Sequence, residues 1–419
     1  MKVLWITNVL FPEALSLITG HKCSLQGSGG WLMSAANKLL ETDDLEIIVA
    51  APSNLVKTLT KVCGQQMTYY ALPCRNERRY NKQYEAIWRK IVSEEKPNIV
   101  HIYGTEFAHG LAFCRAKTDI PHVLSIQGIS EEIGNHYLDG MSCGNVIHNT
   151  SLFDLLYAGT LFKQQRRYID HGRNVERELI RSSKHIIGRT SFDRSHICMI
   201  NPLATYYKCN EILRPTFYTK PFWDYDECSK HSIFLSQCNY PIKGLHQVLR
   251  AMPYVLKNFP DAHIRIAGND ILSKGSFRQR LTQSTYARFI MHLIKKLNLE
   301  QNVCFMGPLD AEQMKREYLR CNVFVSPSSI ENSPNSLGEA QLLGVPCVGS
   351  YVGGTPDMIP NEKCGILYRA SDIMMLADAI CSIFSRKWDC VEEQAEAQKR
   401  HHVHNNIQAI LSVYNSIIG

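Results

Sequence analysis

No stretch of this chain approaches the roughly 18 to 20 consecutive apolar residues that a membrane-spanning helix needs, so a protein threaded through a bilayer by helices is not expected. No C-x-x-C pair occurs, and the fifteen cysteines are scattered and odd in number. That pattern argues against a disulfide framework or a thiolate metal site and favours buried free thiols. Internal repeats and low-complexity tracts are missing too, which removes solenoids and disordered tails from consideration. Gly27-Ser28-Gly29-Gly30-Trp31 does not fit G-x-G-x-x-G, which weakens a dehydrogenase reading. Neither charge sign dominates: the net charge is +7 over 419 residues, and no aromatic residues are interleaved with a strong basic patch, so nucleic acid is not expected as a partner. The His401-His402-Val403-His404 cluster lacks a partnering Cys or carboxylate pattern, so no metal site is expected there.

What the chain has is the composition of a soluble globular protein, 45% hydrophobic and 20% charged, and a length that suits two domains. The opening Val3-Leu4-Trp5-Ile6 is interrupted by Thr7-Asn8 and Pro12. It reads as a first strand and not as a signal peptide, and a cytoplasmic protein is expected. Strand-like and helix-like segments alternate throughout, which predicts an α/β fold with parallel sheets. Strands are predicted at 2–7, 46–50, 99–103, 122–126 and 185–188, with helices at 30–40 and, as one long element, at 161–181. A second series of strands follows at 232–236, 262–267, 303–305, 322–326 and 346–350. The rhythm lapses around Leu213–Lys230, where Pro215, Pro221 and aromatic residues intervene. Domains are therefore expected over 1–215 and 216–390, followed by a helical tail over 391–419 that packs on either half.

The segment Ser328–Ile359 holds Glu331 and Glu339 amid Ser, Asn, Pro and Gly. It is a strand-to-helix turn, and in an open parallel sheet such turns lie at the carboxyl ends of strands, where ligands bind. The helix predicted to start near Ser336 offers free N–H groups and the positive end of its dipole to a phosphate. Glu339 suits the vicinal hydroxyls of a ribose, and Glu331 those of a second sugar; the alternatives are a capping Glu339 and a solvated Glu331. Lys243, in Tyr240-Pro241-Ile242-Lys243-Gly244-Leu245-His246, stands at another strand-to-helix turn, where it either neutralises a diphosphate or is an ordinary surface lysine.

The combination of Glu331-Asn332-Ser333-Pro334-Asn335, Glu339, Gly344-Val345-Pro346, Gly353-Gly354 and Lys243-Gly244-Leu245 resembles glycosyltransferase family 4, whose members are retaining, nucleotide-sugar-dependent enzymes. The resemblance implies the GT-B fold, two Rossmann-like domains facing across a cleft. It also implies roles. Glu339 resembles the ribose-binding glutamate, and Glu331 the residue beside the transferred sugar, with Asn332 next to it. Asn335, Ser336 and Leu337 match the turn whose amides meet the sugar and the distal phosphate, Lys243 matches the phosphate lysine, and Gly29 and Gly30 match the first-domain loop at the diphosphate. Two positions depart from the pattern. Gln237 lies where the family usually has an arginine, leaving Lys243 or another cation such as Arg214 to carry the charge. Gln127 stands where many members have a histidine.

Glu106 and His109, after a first-half strand, are candidates to orient an acceptor hydroxyl. The expected reaction moves a sugar from a nucleotide-diphosphate donor to a growing glycan, or a lipid-linked one, in surface polysaccharide synthesis. No metal or further cofactor is required. Alternatives are a noncatalytic GT-B subunit, a nucleotide-sugar epimerase, and a phosphorylase, which would need phosphate and pyridoxal. Arg173, Arg177, Arg181 and Lys184 recur at helical spacing after Lys163, Arg166 and Arg167. Such a stripe suits either an anionic membrane, at the inner face of the cell membrane, or plain solvation.

Overall fold

In the computed structural model, residues 1–23, 29–42, 45–74, 76, 78–152, 154–268, 271 and 283–419 are described. The chain forms two compact units. One comprises Met1–Glu131, Ile169–Leu213 and His401–Gly419, and the other Glu132–Tyr168 and Arg214–Arg400.

The first unit carries β1 (Lys2–Ile6), β2 (Glu46–Ser53), β3 (Thr60–Cys63), β4 (Thr68–Pro73), β5 (Ile99–Tyr103), β6 (His122–Ser125), β7 (His185–Gly188) and β8 (Thr205–Lys208). They form one sheet in the order β3-β4-β2-β1-β5-β6-β7-β8. All pairings are parallel except the edge pair β3–β4. In β1, Val3, Leu4, Trp5 and Ile6 are all fully buried, which is why this strand reads as an unbroken apolar run: helices cover a parallel sheet on both faces.

The second unit carries β9 (Ser232–Leu235), β10 (His263–Ala267), β11 (Val303–Gly307), β12 (Val323–Ser326), β13 (Cys347–Tyr351) and β14 (Ile366–Arg369), in the order β11-β10-β9-β12-β13-β14. Each sheet reverses its winding once. The chain leaves β1 toward β2 and returns to the other side of β1 as β5; likewise it leaves β9 toward β10 and returns beside β9 as β12. The crevice at the carboxyl ends of such a strand pair is where open α/β sheets receive ligands.

The helix predicted over 161–181 is broken. An α-helix spans Leu161–His171, a π-turn Gly172–Glu176, and a second α-helix Arg177–Ser182. The π-turn has two causes in the packing. A Cβ on residue 172 would lie 2.5 Å from the Glu131 backbone nitrogen, so only glycine permits that approach. The extra residue also turns Glu176 inward, where its two carboxylate oxygens accept the Ser130 N–H at 3.0 and 2.9 Å. Burial, partly offset by the Thr105 and Ser130 hydrogen bonds, pushes its carboxyl up to about 7. Arg173 and Arg177 of the basic stripe both engage Glu131, at 2.9 and 2.7 Å.

The tail divides between the units. Helix Val391–Arg400 closes the second: Arg400 donates to Gln341 Oε1 at 2.9 Å and to the Met358 carbonyl at 3.0 Å. Helix Val403–Ile418 lies in the first, where Trp5 donates to the Tyr414 hydroxyl at 3.2 Å. The clustered histidines serve this junction. His401 Nδ1 meets the Glu211 carbonyl at 2.8 Å, and His402 Nδ1 accepts the Asn405 N–H at 3.3 Å, capping the last helix. All fifteen cysteines are free thiols.

Candidate functional site

In the second unit, the loops leaving β9 and β12 flank the point where the strand order reverses. The β9 loop ends in a 3₁₀ turn, Pro241–Lys243, followed by Gly244 at φ +72°. A Cβ at Gly244 would sit 2.0 Å from the Pro327 carbonyl oxygen. Glycine is therefore required twice over, by the left-handed backbone and by the contact with the β12 loop. The Ser329 N–H donates to the Ile242 carbonyl at 2.8 Å, which ties the two loops together.

That tie brings Lys243 Nζ to 2.5 Å from Glu331 Oε1, with both side chains mostly covered. Ser328 Oγ donates to the same carboxylate oxygen at 2.8 Å. Burial works against the lysine's charge, but Glu331 overcomes it and holds the ammonium above its ordinary range. Behind Glu331, its carbonyl accepts the Gly354 N–H at 3.0 Å, and a Cβ on Gly353 would come within 2.0 Å of that oxygen. Gly244→Ala is expected to cost about 2 kcal/mol or more and to part Lys243 from Glu331. Chemical denaturation would measure the first effect, and stability equal to the parent would contradict the packing argument.

The helix Asn335–Leu342 begins without a side-chain cap, since Pro334 holds the N-cap position. The N–H groups of Asn335 and Ser336 have no intrahelical acceptor by geometry, while that of Leu337 donates to the Pro334 carbonyl at 3.0 Å. Asn335 Oδ1, Ser329 Oγ and Thr355 Oγ1 are buried without a hydrogen-bond partner. All three lie in the segments that follow β12 and β13, at the strand ends where open α/β sheets receive ligands. Ser336 is anchored through its carbonyl, which accepts the Tyr318 hydroxyl at 2.9 Å. Leu337 is fully buried and Asn332 nearly so. Gln237 is exposed at the end of β9.

Glu339 turns into the protein and meets Arg214 in a two-pronged pair, Nε–Oε1 at 2.8 Å and Nη2–Oε2 at 2.7 Å. Arg214 also stacks on the Phe217 ring, 4.8 Å from its centroid. Burial pushes the Glu339 carboxyl up and Arg214 only partly restores it. Arg214, named from the sequence as a substitute phosphate cation, is thus committed to a carboxylate. Its partnership left no local signal, because the two residues are far apart in the chain.

In the first unit, the equivalent reversal lies between β1 and β5, and Asn8 Nδ2 donates to Glu106 Oε2 at 3.0 Å across it. Gly104, at φ +89°, leaves the room: a Cβ there would meet Glu106 Oε2 at 2.2 Å. Burial raises the Glu106 carboxyl above its ordinary range. His109 is buried, with Nε2 3.0 Å from the Thr7 carbonyl, and burial depresses it to about 4. Gln127 follows β6, and its carbonyl accepts Arg189 Nη2 at 3.3 Å. Arg189 also forms a buried ion pair with Glu211. Gly29, at φ +93°, caps the helix Gly30–Leu40; Gly27 and Ser28 lie outside the described residues. The structure thus brings Lys243 and Glu331 into contact and sets Asn335 at a bare helix start. Glu106, His109 and Gln127 have partners within their own unit.

Two doubly wound α/β units of this kind define the GT-B fold class. Sucrose-phosphate synthase from Thermosynechococcus elongatus superposes over 99% of this chain and 98% of its own, with a TM-score of 0.71 at 14% identity. HepE from Anabaena, in complex with UDP and glucose, superposes over 99% of this chain and 100% of its own, with a TM-score of 0.63 at 14% identity. Residues 225–406 match the model of the family described as glycosyl transferases group 1. Among sequence relatives, D-inositol 3-phosphate glycosyltransferase from Corynebacterium urealyticum is 24% identical over 179 residues, which are 42% of this chain and 41% of that protein.

Proposed function

We propose that this chain is a glycosyltransferase that takes a sugar from a nucleotide-diphosphate donor, with retention at the anomeric carbon, in the manner of family 4. The observation that carries the reading is the charged pair Lys243–Glu331 at the β9/β12 reversal, beside the uncapped start of the helix Asn335–Leu342. A diphosphate would draw Lys243 and the first-turn amides onto its oxygens, and neutralising charge on the leaving phosphate is their common effect. Glu331, released from the lysine, would accept hydroxyls of the transferred sugar, and Glu339 those of the ribose. A front-face route lets the leaving phosphate oxygen take the acceptor's proton, so the reading requires no protein base and no metal. The acceptor is a growing or lipid-linked glycan of a surface polysaccharide, with Glu106, His109 and Gln127 on the acceptor side. Work at the inner face of an anionic membrane is part of the same proposal.

Support comes from the group 1 match over residues 225–406 and from the UDP and glucose bound by HepE, which make UDP-glucose the first donor to try. Thermal melts with UDP, GDP and ADP and their sugars would test it. A ligand at a hundred times its Kd stabilises the native state by about 2.7 kcal/mol, so one base should raise Tm clearly, and Glu339→Ala should abolish most of that rise. No shift with any of them would favour a noncatalytic GT-B subunit.

A further inference from the structure

Between Ser142 and Arg167, three polar side chains are turned inward and five large apolar ones outward, the reverse of an ordinary surface segment. Asp154 is almost fully buried and accepts both the backbone N–H and the hydroxyl of Thr285, each at 2.5 Å. Asn149, also buried, holds His292 at 2.6 Å, and buried Ser151 accepts the Asp154 N–H at 2.9 Å. Five large apolar residues face outward: Leu156 is 72% exposed, Leu152 70%, Ile147 67%, Leu155 59% and Phe162 37%, while Val146 and Leu161 anchor the segment in the core. Single exposed leucines are ordinary, but a cluster rimmed by polar residues marks an interaction site. Here three buried hydrogen-bonding side chains hold the cluster out, so the arrangement is built into the packing of the second unit.

The charge around this cluster selects the partner. Asp154 is the only acidic residue from Ser142 to Arg167, and its charge is spent internally on Thr285. Lys163, Arg166 and Arg167 follow directly on the exposed Phe162, and all three are exposed. Leucines that enter the acyl boundary beside cations at the headgroup level are the chemistry of peripheral binding to anionic lipid. No helix among the described residues is long and apolar enough to cross a membrane, which leaves attachment at the surface as the mode.

We propose that this loop docks the protein on an anionic lipid surface, with Ile147, Leu152, Leu155, Leu156 and Phe162 inserted and Lys163, Arg166 and Arg167 on the headgroups. The surface gives the membrane contact of the functional proposal a location and rests on that part of it alone, not on the donor chemistry. It does not include Arg173 and Arg177, which engage Glu131.

Flotation with vesicles of phosphatidylcholine, with and without phosphatidylglycerol, tests the docking. Parent protein should float with the anionic vesicles and hardly at all with the neutral ones. Combining Leu152→Ser, Leu155→Ser and Leu156→Ser should weaken binding about tenfold or more. Combining Lys163→Gln, Arg166→Gln and Arg167→Gln should weaken it about fivefold per charge removed and erase the preference for anionic lipid. Each variant is also melted with and without the stabilising nucleotide, because a preserved shift shows that the donor site and the fold are intact. Failure of the parent to float, or equal flotation by the triple serine variant, overturns the docking and leaves the donor reading standing. Sedimentation that shows a dimer dispersed by the serines, without vesicle binding, overturns it in favour of a second copy of the chain.

Discussion

Lys243→Met should lower the transfer rate at saturating donor by about a hundredfold or more, while donor affinity changes by less than about tenfold. The reason lies in the ligand-free pair. Lys243 already holds a full ion pair with Glu331 at 2.5 Å, so an incoming diphosphate trades one partner for another and ground-state binding gains little. As the bond to the sugar breaks, negative charge builds on the leaving phosphate and the lysine gains. An interaction that strengthens only then appears in kcat and not in Kd. Single-turnover kinetics beside direct donor titration separate the two, and a loss confined to binding would remove the lysine from the chemical step. Lys243→Met also strands a covered carboxylate, so Lys243→Met with Glu331→Gln serves as the stability control.

The second large effect is expected at Arg214. Removing it leaves Glu339, only 5% exposed, as a buried carboxylate without its cation, and breaking one side of such a pair costs about 3 kcal/mol. Replacing both residues, Arg214→Met with Glu339→Gln, removes the charge together with its partner and should cost much less. The pH dependence has a definite sign. Burial raises the Glu339 carboxyl in the folded protein and Arg214 lowers it. Without the arginine, the folded carboxyl lies further above its unfolded value, and a group raised in this way destabilises the fold as pH climbs from the unfolded value through the folded one. The deficit of Arg214→Met should therefore be full at neutral pH and shrink on acidification toward the ordinary carboxylate range. Urea denaturation across pH would show it; a deficit that is flat with pH would mean Glu339 does not carry the cost. Donor affinity should fall along with stability, because Arg214 fixes the carboxylate proposed to meet the ribose.

Much of the architecture was legible because its signals are local. Unbroken apolar runs such as Val3–Ile6 and Val323–Val325 announce strands covered on both faces, and the intervening helical periods announce the crossovers. Mixed and edge strands escaped that test. β4, Thr-Tyr-Tyr-Ala-Leu-Pro, carries its apolar character on tyrosine rings, while β3, β8 and β14 stand at sheet edges and are partly exposed. The break at Gly172–Glu176 was invisible because a π-turn is imposed by what the helix packs against, the Glu131 backbone, and not by helix propensity.

By itself, then, the sequence determined the alternation of strand and helix, and that Lys243, Glu331 and Asn335 stand in loops at strand ends. Periodicity and turn chemistry act over a few residues, so they can be read from neighbours. Only the tertiary structure decided that Lys243 meets Glu331 across 88 residues and that Arg214 grips Glu339 across 125. It also decided that residues 132–168 join the second unit and that their leucines face out. Such contacts depend on which strands become neighbours where the sheet reverses and on where buried polar groups find partners. Both are properties of the assembled core, which no short window of sequence contains.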